Sequence, residues 1–176
     1  TLGASADTTT KLDGFWDREI EAVAISLVKA TKDNATATEI KAALAAFEGL
    51  TDRQQYALDA NVLQMAELVK SKVISSVESL KITASSTAAK GSITVKWKVV
   101  GDYDLADGMR VYKSTKKNSG YGATPYFITK KGAMQYKNTK ELKKGTRYYY
   151  KVRAYVEIDG VKYYSDWSNK AYRIAK

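Results

Sequence analysis

The sequence predicts an α+β chain of two domains, in which a small helical bundle precedes an antiparallel β-sandwich. Three observations support this division. Near Leu80 the spacing of apolar residues changes from the 3.6-residue period of helices to the 2-residue period of strands. Residues 1–80 carry 8 Lys and Arg against 12 Asp and Glu, whereas residues 81–176 carry 21 against 7, so the net charges are −4 and +14. Twelve of the 13 tyrosines follow residue 80.

The helical domain is expected to span residues 13–79, behind a disordered leader at residues 1–12. Apolar residues recur at helical spacing through 15–30, which predicts an amphipathic first helix with Asp13 as its cap. The apolar face of this helix comprises Trp16, Ile20, Val23, Leu27 and Val28.

Two capping boxes, at residues 36–39 and 51–54, predict the starts of two further helices, because each pairs a threonine with Glu or Gln three positions later. Gly49 is expected to end the helix before it in the left-handed conformation. Residues 59–61, Asp-Ala-Asn, leave open whether the bundle has three or four helices. The last helix is expected to run to about Ser79 and to form a stalk.

Residues 39–55, with Asn61 and the pair at 66–67, resemble the helical repeats of Gram-positive surface and secreted proteins that include the FIVAR-type modules. The resemblance covers about residues 15–70. It implies a small helical module that occurs in tandem with other extracellular domains.

Apolar residues alternate with polar ones at 93–99 and again at 146–157, which predicts strands with one buried and one wet face. Asp159 and Gly160 suit the two positive-φ positions of a tight hairpin turn. With several short strands and no helix between them, residues 80–176 are expected to form an antiparallel sandwich.

The segment 142–154 is similar to the fibronectin type III signature, in which the first tyrosine, Tyr148, forms the tyrosine corner. Trp97 lies where that family has its core tryptophan, and residues 165–169 resemble the entry to its last strand. The resemblance implies a seven-stranded, immunoglobulin-like sandwich over residues 80–176.

The chain contains no cysteine and no histidine, which excludes disulfides, thiolate and imidazole catalysis and the usual zinc sites. We therefore expect no enzymatic activity, no cofactor and no metal centre. The loop at residues 102–108 places three aspartates near a glycine and leaves open a calcium site, although a polar turn between two strands explains the same residues.

One sheet face is the candidate binding surface, because aromatic and basic side chains alternate on two neighbouring strands. Such a face can stack sugar rings and attract phosphate-rich wall polymers; the alternative is an ordinary solvated face. Its residues are Arg110, Tyr112, Tyr149, Lys151, Arg153 and Tyr155.

The function predicted from the sequence is a non-catalytic spacer and interaction module with an adhesive surface, in the extracellular space or cell wall of a Gram-positive bacterium. The expected partners are a cell-wall polymer, a glycan or a host surface protein, with no specific nucleic acid and no membrane span. The chain is expected to belong to a larger multidomain protein. The alternative is a carbohydrate-binding accessory module of an exported glycan-degrading enzyme.

Overall fold

The computed structural model describes the backbone from Ser5 to Lys176 and the side chains from Arg18 onward. The chain divides between Val73 and Ile74 into two compact units, a helical unit and a β unit. The division lies inside a helix rather than at the boundary of 79 and 80 expected from the sequence. No helix of the described part combines the length and apolarity that a bilayer crossing needs.

The first helix, α1, spans Ser5–Thr31 and is longer than the sequence suggested. It continues through Asp13, so this residue does not begin the helix, and it includes residues 5–12, which were assigned to a leader. No proline interrupts the segment, so a continuous helix is sterically possible there. Residues 1–4 of the expected leader and the Trp16 side chain lie outside the described residues. Val28 is 41% exposed, and Ala30 is buried instead.

Both capping boxes are confirmed, at the starts of α2 (Ala37–Glu48) and α3 (Asp52–Tyr56). The amide of Thr36 donates to Glu39 Oε2 at 2.8 Å, and the amide of Glu39 donates to Thr36 Oγ1 at 3.2 Å. The prediction for Gly49 was wrong, because its φ of −74° is right-handed. The amide of Gly49 still donates to the carbonyl of Ala45, as it would inside a helix. The helix therefore ends without a left-handed residue.

The fourth helix, α4, spans Ala60–Glu78, so the described chain has four helices. Its Lys72 donates hydrogen bonds to the carbonyls of Ala30 and Lys32 at the end of α1, which cap carbonyls that a helix leaves unpaired. Apolar residues from α1, α2 and α4 form the core of the helical unit. The largest fully buried members are Leu27, Ile40, Val69 and Val73.

The β unit contains two antiparallel sheets. The described strands are β1 (Lys81–Ala89), β2 (Ser92–Val100), β3 (Gly108–Ser114), β4 (Phe127–Ile128), β5 (Gln135–Asn138), β6 (Arg147–Ile158), β7 (Val161–Tyr164) and β8 (Ala171–Ile174). One sheet has the order β1-β2-β5. The other has the order β4-β3-β6-β7, with β8 also paired to β6.

Buried and more exposed residues alternate along β2 and β6, so that one face of each sheet is buried, as the 2-residue period predicts. Trp97 on β2 is 3% exposed and Tyr148 on β6 is 6% exposed. The side-chain amide of Asn138 on β5 donates to the hydroxyl of Tyr150 on β6 at 2.8 Å, so a buried polar contact links the two sheets. Burial of Tyr150 raises its pKa to about 12.

The described β unit has eight strands, one more than expected from the sequence. The extra strand, β4, has only two residues, and the final segment is split into β7 and β8. The predicted tight turn between β6 and β7 is confirmed, since Asp159 and Gly160 have φ values of 51° and 75°.

Candidate functional site

The six residues proposed from the sequence lie on one face of the five-stranded sheet. In the register of β3 and β6, Arg110 is opposite Arg153 and Tyr112 is opposite Lys151. Tyr155 lies opposite Gly108 at one end of this pairing, and Tyr149 lies opposite Ser114 at the other end. The alternating pattern read from the sequence therefore placed these side chains on the correct common face.

Four of these residues contact two further aromatic rings, Tyr164 and Trp167, which the sequence analysis did not assign to the face. Lys151 Nζ lies 3.6 Å from the centroid of the Trp167 ring, and Arg153 Cζ lies 4.3 Å from it. Arg153 Cζ is also 3.7 Å from the Tyr164 ring. Cations and rings thus follow one another along the face.

The series continues at Arg110, whose Cζ lies 5.5 Å from the Tyr164 ring and 5.8 Å from the Tyr155 ring. A guanidinium nitrogen of Arg110 also donates to the Tyr164 hydroxyl. We call this series the cation–aromatic ladder. Its members, in spatial order, are Lys151, Trp167, Arg153, Tyr164, Arg110 and Tyr155.

The ladder explains how two arginines can face each other across neighbouring strands. Like charges directly opposite in a sheet repel. Each guanidinium instead contacts aromatic faces, and such contacts contribute about 0.5–2 kcal/mol each. The cost is visible in the Nε atoms of Arg110 and Arg153, which are buried without a hydrogen-bond partner.

Tyr112 differs from the expectation of an exposed binding residue, because it is only 2% exposed. The Trp167 ring stands edge-on to it, with centroids 4.9 Å apart and planes at 82°. Arg153 lies above the same ring and donates a 3.4 Å hydrogen bond to the Tyr112 hydroxyl. Tyr112 therefore supports the ladder from below and is not available to a ligand.

Tyr149, like Tyr112, is a predicted residue that is not a member of the ladder. It packs on Tyr172 of β8, with ring centroids 5.6 Å apart. The Arg147 guanidinium lies 5.3 Å from the Tyr172 ring. A smaller cation–aromatic contact thus occupies the far end of the same face.

Two serines hold the segment that carries Trp167 against β6. The Ser165 hydroxyl accepts from the amide of Ala154 at 2.9 Å, and the Ser168 hydroxyl accepts from the amide of Val152 at 3.0 Å. Each serine amide also donates to the carbonyl of the same β6 residue. The two serines thus pair with β6 at two points each, while residues 166 and 167 project outward.

Asn169 performs a related task on the other sheet. Its side-chain oxygen accepts from the Ala84 amide at 2.7 Å, and its side-chain nitrogen donates to the Ala84 carbonyl at 2.9 Å. The side chain therefore occupies the hydrogen-bonding position that a neighbouring strand would take along β1. This contact ties the segment between β7 and β8 to both sheets.

The ladder is positively charged, with three cations, Arg110, Lys151 and Arg153, on one face. Among the described residues, no carboxylate forms an ion pair with Arg110, Lys151 or Arg153. Burial lowers the pKa of Lys151, and repulsion from Arg153 and Lys170 lowers it further. A bound anion would relieve this repulsion. The arrangement of these cations suits the binding of an anion.

The loop with three aspartates forms the polar turn between β2 and β3. Asp107 accepts a 2.9 Å hydrogen bond from the amide of Glu157, and residues Tyr103–Leu105 form a short 3-10 helix. Within the described part of the chain, no three acidic residues gather as metal ligands would. The loop is a turn, and its Asp107 carboxylate links it to β6.

No family model and no curated protein matches the chain. Among solved structures, the pectate lyase Pel3 from Pectobacterium carotovorum is similar at 14% identity and a TM-score of 0.42, over 52% of this chain and 26% of that one. The pectate lyase PelI from Erwinia chrysanthemi, solved with tetragalacturonic acid, is similar at 14% identity and a TM-score of 0.36, over 49% of this chain and 26% of that one. The chain spans about a quarter of each lyase, and these TM-scores assign it neither a fold family nor an activity.

Proposed function

We propose that this chain is a non-catalytic structural and interaction module of a bacterial cell-surface or secreted protein, a spacer with an adhesive face. The observation that carries the proposal is the set of three cations, Arg110, Lys151 and Arg153, held on one sheet face without a described carboxylate partner. The setting, outside a Gram-positive cell, follows from the sequence resemblances.

We further propose that the β unit is a fibronectin type III-like sandwich. The chain crosses from the three-stranded sheet to the other after β2, returns for β5 and leaves again for β6, as in Greek-key sandwiches. The Tyr148 hydroxyl accepts a 2.8 Å hydrogen bond from the amide of Lys143, as a tyrosine corner would. The buried ring of Trp97 also supports this assignment.

A binding role fits the composition better than catalysis does. The sequence has neither histidine nor cysteine, so the commonest general base and the strongest side-chain nucleophile are absent. The ladder contains no carboxylate that could act as an acid or a base. Its cations and rings are suited to holding an anionic ligand.

The partner that suits the ladder is an anionic polymer of the cell wall. The cations are spaced along one face of two adjacent strands, so repeating phosphates or carboxylates can contact several of them at once. The ladder rings are already covered by cations, which leaves charge as the main attraction. The binding should therefore weaken as salt screens the surface.

The test compares retention of the chain on immobilised poly(glycerol phosphate) at low salt. A Lys151→Ala/Arg153→Ala variant should elute at clearly lower salt than the unmodified chain. The matched control is Lys96→Ala/Lys98→Ala, which removes the same charge from exposed positions on β2 of the other sheet. Near-ultraviolet circular dichroism confirms that each variant is folded. Equal loss of retention in both variants would show that net charge alone, and not the ladder, binds the polymer.

A second candidate function is a carbohydrate-binding accessory module of an exported glycan-degrading enzyme. The observation that favours it is a separate cleft lined by Tyr126, Phe127 and Tyr136. Exposed aromatic rings beside polar groups suit the mixed apolar and hydroxylated surface of sugars.

A further inference from the structure

The aromatic cleft lies between the short edge strand β4 of one sheet and the edge strand β5 of the other. Its volume is about 390 Å³, within the range of small-molecule sites. Three aromatic and three polar residues line it: Tyr126, Phe127, Tyr136, Thr139, Lys140 and Glu141. None of them belongs to the cation–aromatic ladder.

The rings form a ledge rather than a closed core. The Phe127 ring stacks on the Tyr136 ring, with centroids 4.2 Å apart and planes at 19°, and Phe127 remains 42% exposed. Tyr126 stands at 69° to Tyr136, with centroids 6.3 Å apart. The Tyr126 hydroxyl is fixed by a 3.1 Å hydrogen bond to the carbonyl of Lys140. A flat, partly apolar molecule can therefore stack on a ledge that is already in place.

The rim carries a strained residue with a hydrogen-bonding side chain. Glu141 has a φ of 55°, a left-handed conformation that side chains other than Asn and Asp rarely adopt. Strain of this kind gathers at functional sites. The Glu141 carboxylate accepts a 3.1 Å hydrogen bond from Lys113, yet its side chain is still 73% exposed. The carboxylate keeps acceptor capacity for hydroxyl groups at the cleft.

Charges of both signs border the cleft, because Glu141 pairs with Lys113 and Lys140 lines the same rim. A cation would meet Lys140 and also Lys113, whose Nζ already lies 3.6 Å from the Tyr126 ring. An anion would meet Glu141. A neutral ligand with an apolar face and several hydroxyls avoids both conflicts.

We propose that this cleft binds one or two units of a neutral oligosaccharide, stacked on Phe127 and Tyr136 and hydrogen-bonded to Glu141. The inference deepens the second candidate function and rests on it. It does not depend on the ladder binding an anion.

The experiment titrates the isotopically labelled full chain with four neutral probes, cellotetraose, mannotetraose, galactotetraose and triacetylchitotriose, and follows amide and aromatic NMR signals. At least one probe should shift signals of Phe127, Tyr136 and Glu141 in a saturable way, with a Kd at or below about 1 mM, the scale of weak specific binding. If no probe shifts these signals up to about 10 mM, the proposal is wrong.

Two variants separate the cleft from general surface effects. Phe127→Ala should weaken binding at least about tenfold, which is the loss of one good contact. Ile128→Ala should bind as the unmodified chain does, because it is equally exposed on the same strand but does not line the cleft. Equal weakening in both variants would overturn the proposal.

The outcome is independent of the poly(glycerol phosphate) test. If no sugar probe binds the cleft but the chain is still retained on the polymer through the ladder, the cleft proposal is wrong and the adhesive ladder remains. If a sugar binds at the cleft but Lys151→Ala/Arg153→Ala does not change retention, the ladder proposal is wrong. The accessory-module function then remains.

Discussion

Replacing Ser168 by alanine should destabilise the β unit markedly, although the change removes a single oxygen atom. The Ser168 hydroxyl accepts from the amide of Val152 at 3.0 Å and donates to the carbonyl of Asn169 at 2.7 Å. Ser168 is 6% exposed and Val152 is fully buried. Alanine at this position leaves the Val152 amide without a partner, and a buried unsatisfied donor costs about 1–3 kcal/mol.

Guanidinium unfolding followed by near-ultraviolet circular dichroism measures this loss, because twelve of the 13 tyrosines belong to the β unit. We expect Ser168→Ala to lower the free energy of unfolding by about 2 kcal/mol. Ser85→Ala, an exposed serine on β1, is the matched control and should change it by less than about 0.5 kcal/mol. A loss below about 0.5 kcal/mol in Ser168→Ala would refute the argument, since it would mean that the hydroxyl is not required to pair the β6 backbone.

Three further predictions concern single side chains. Tyr148→Phe removes the acceptor of the Lys143 amide and should cost about 1 kcal/mol in the same unfolding assay; unchanged stability would contradict the tyrosine corner. Lys72→Met removes the cap of α1 and should lower the stability of the helical unit by about 1 kcal/mol, measured by far-ultraviolet circular dichroism; an unaltered transition would count against it. Burial raises the pKa of Tyr150 to about 12, so its stabilising effect is complete below the ordinary value of 10 and is lost as the pH rises from 10 to about 12. An ultraviolet titration of tyrosinate should lose one late ionisation, near pH 12, in Tyr150→Phe, and loss of an ionisation near pH 10 instead would show that Tyr150 ionises as an exposed tyrosine does.

The faces of the long strands could be predicted from the sequence because side chains on a strand alternate strictly. The pattern at 147–158 placed Arg153 and Lys151 on one face and Tyr150 on the other, as the structure shows. The capping boxes were predicted for a similar reason, since their chemistry is contained within four residues. Local periodicity and local chemistry were sufficient in both cases.

The rest of the ladder could not be predicted by the same reasoning. From Ser165 to Ala171, the first residue of β8, every third residue is buried, at Ser165, Ser168 and Ala171, which is neither the strand nor the helix period. The spacing of apolar residues therefore did not indicate that Trp167 lies on the sheet face. The burial of Tyr112 under Trp167 joins residues 55 positions apart and depends on tertiary packing alone.

The aromatic cleft was missed for another reason. Phe127 and Tyr136 lie on strands of two and four residues, too short to show a period. Each strand also belongs to a different sheet, so the stacking of the two rings follows from the arrangement of the sheets.

The pairing of Asn169 with β1 limits how copies of this molecule can associate. β1 is a nine-residue strand at the border of its sheet, and a long unprotected border strand invites a second chain to extend the sheet. The Asn169 amide group occupies the main-chain donor and acceptor of Ala84, midway along that border. The opposite borders end in strands of two and four residues, which offer little template for aggregation. Association with other molecules is thereby directed to side-chain surfaces and away from strand addition.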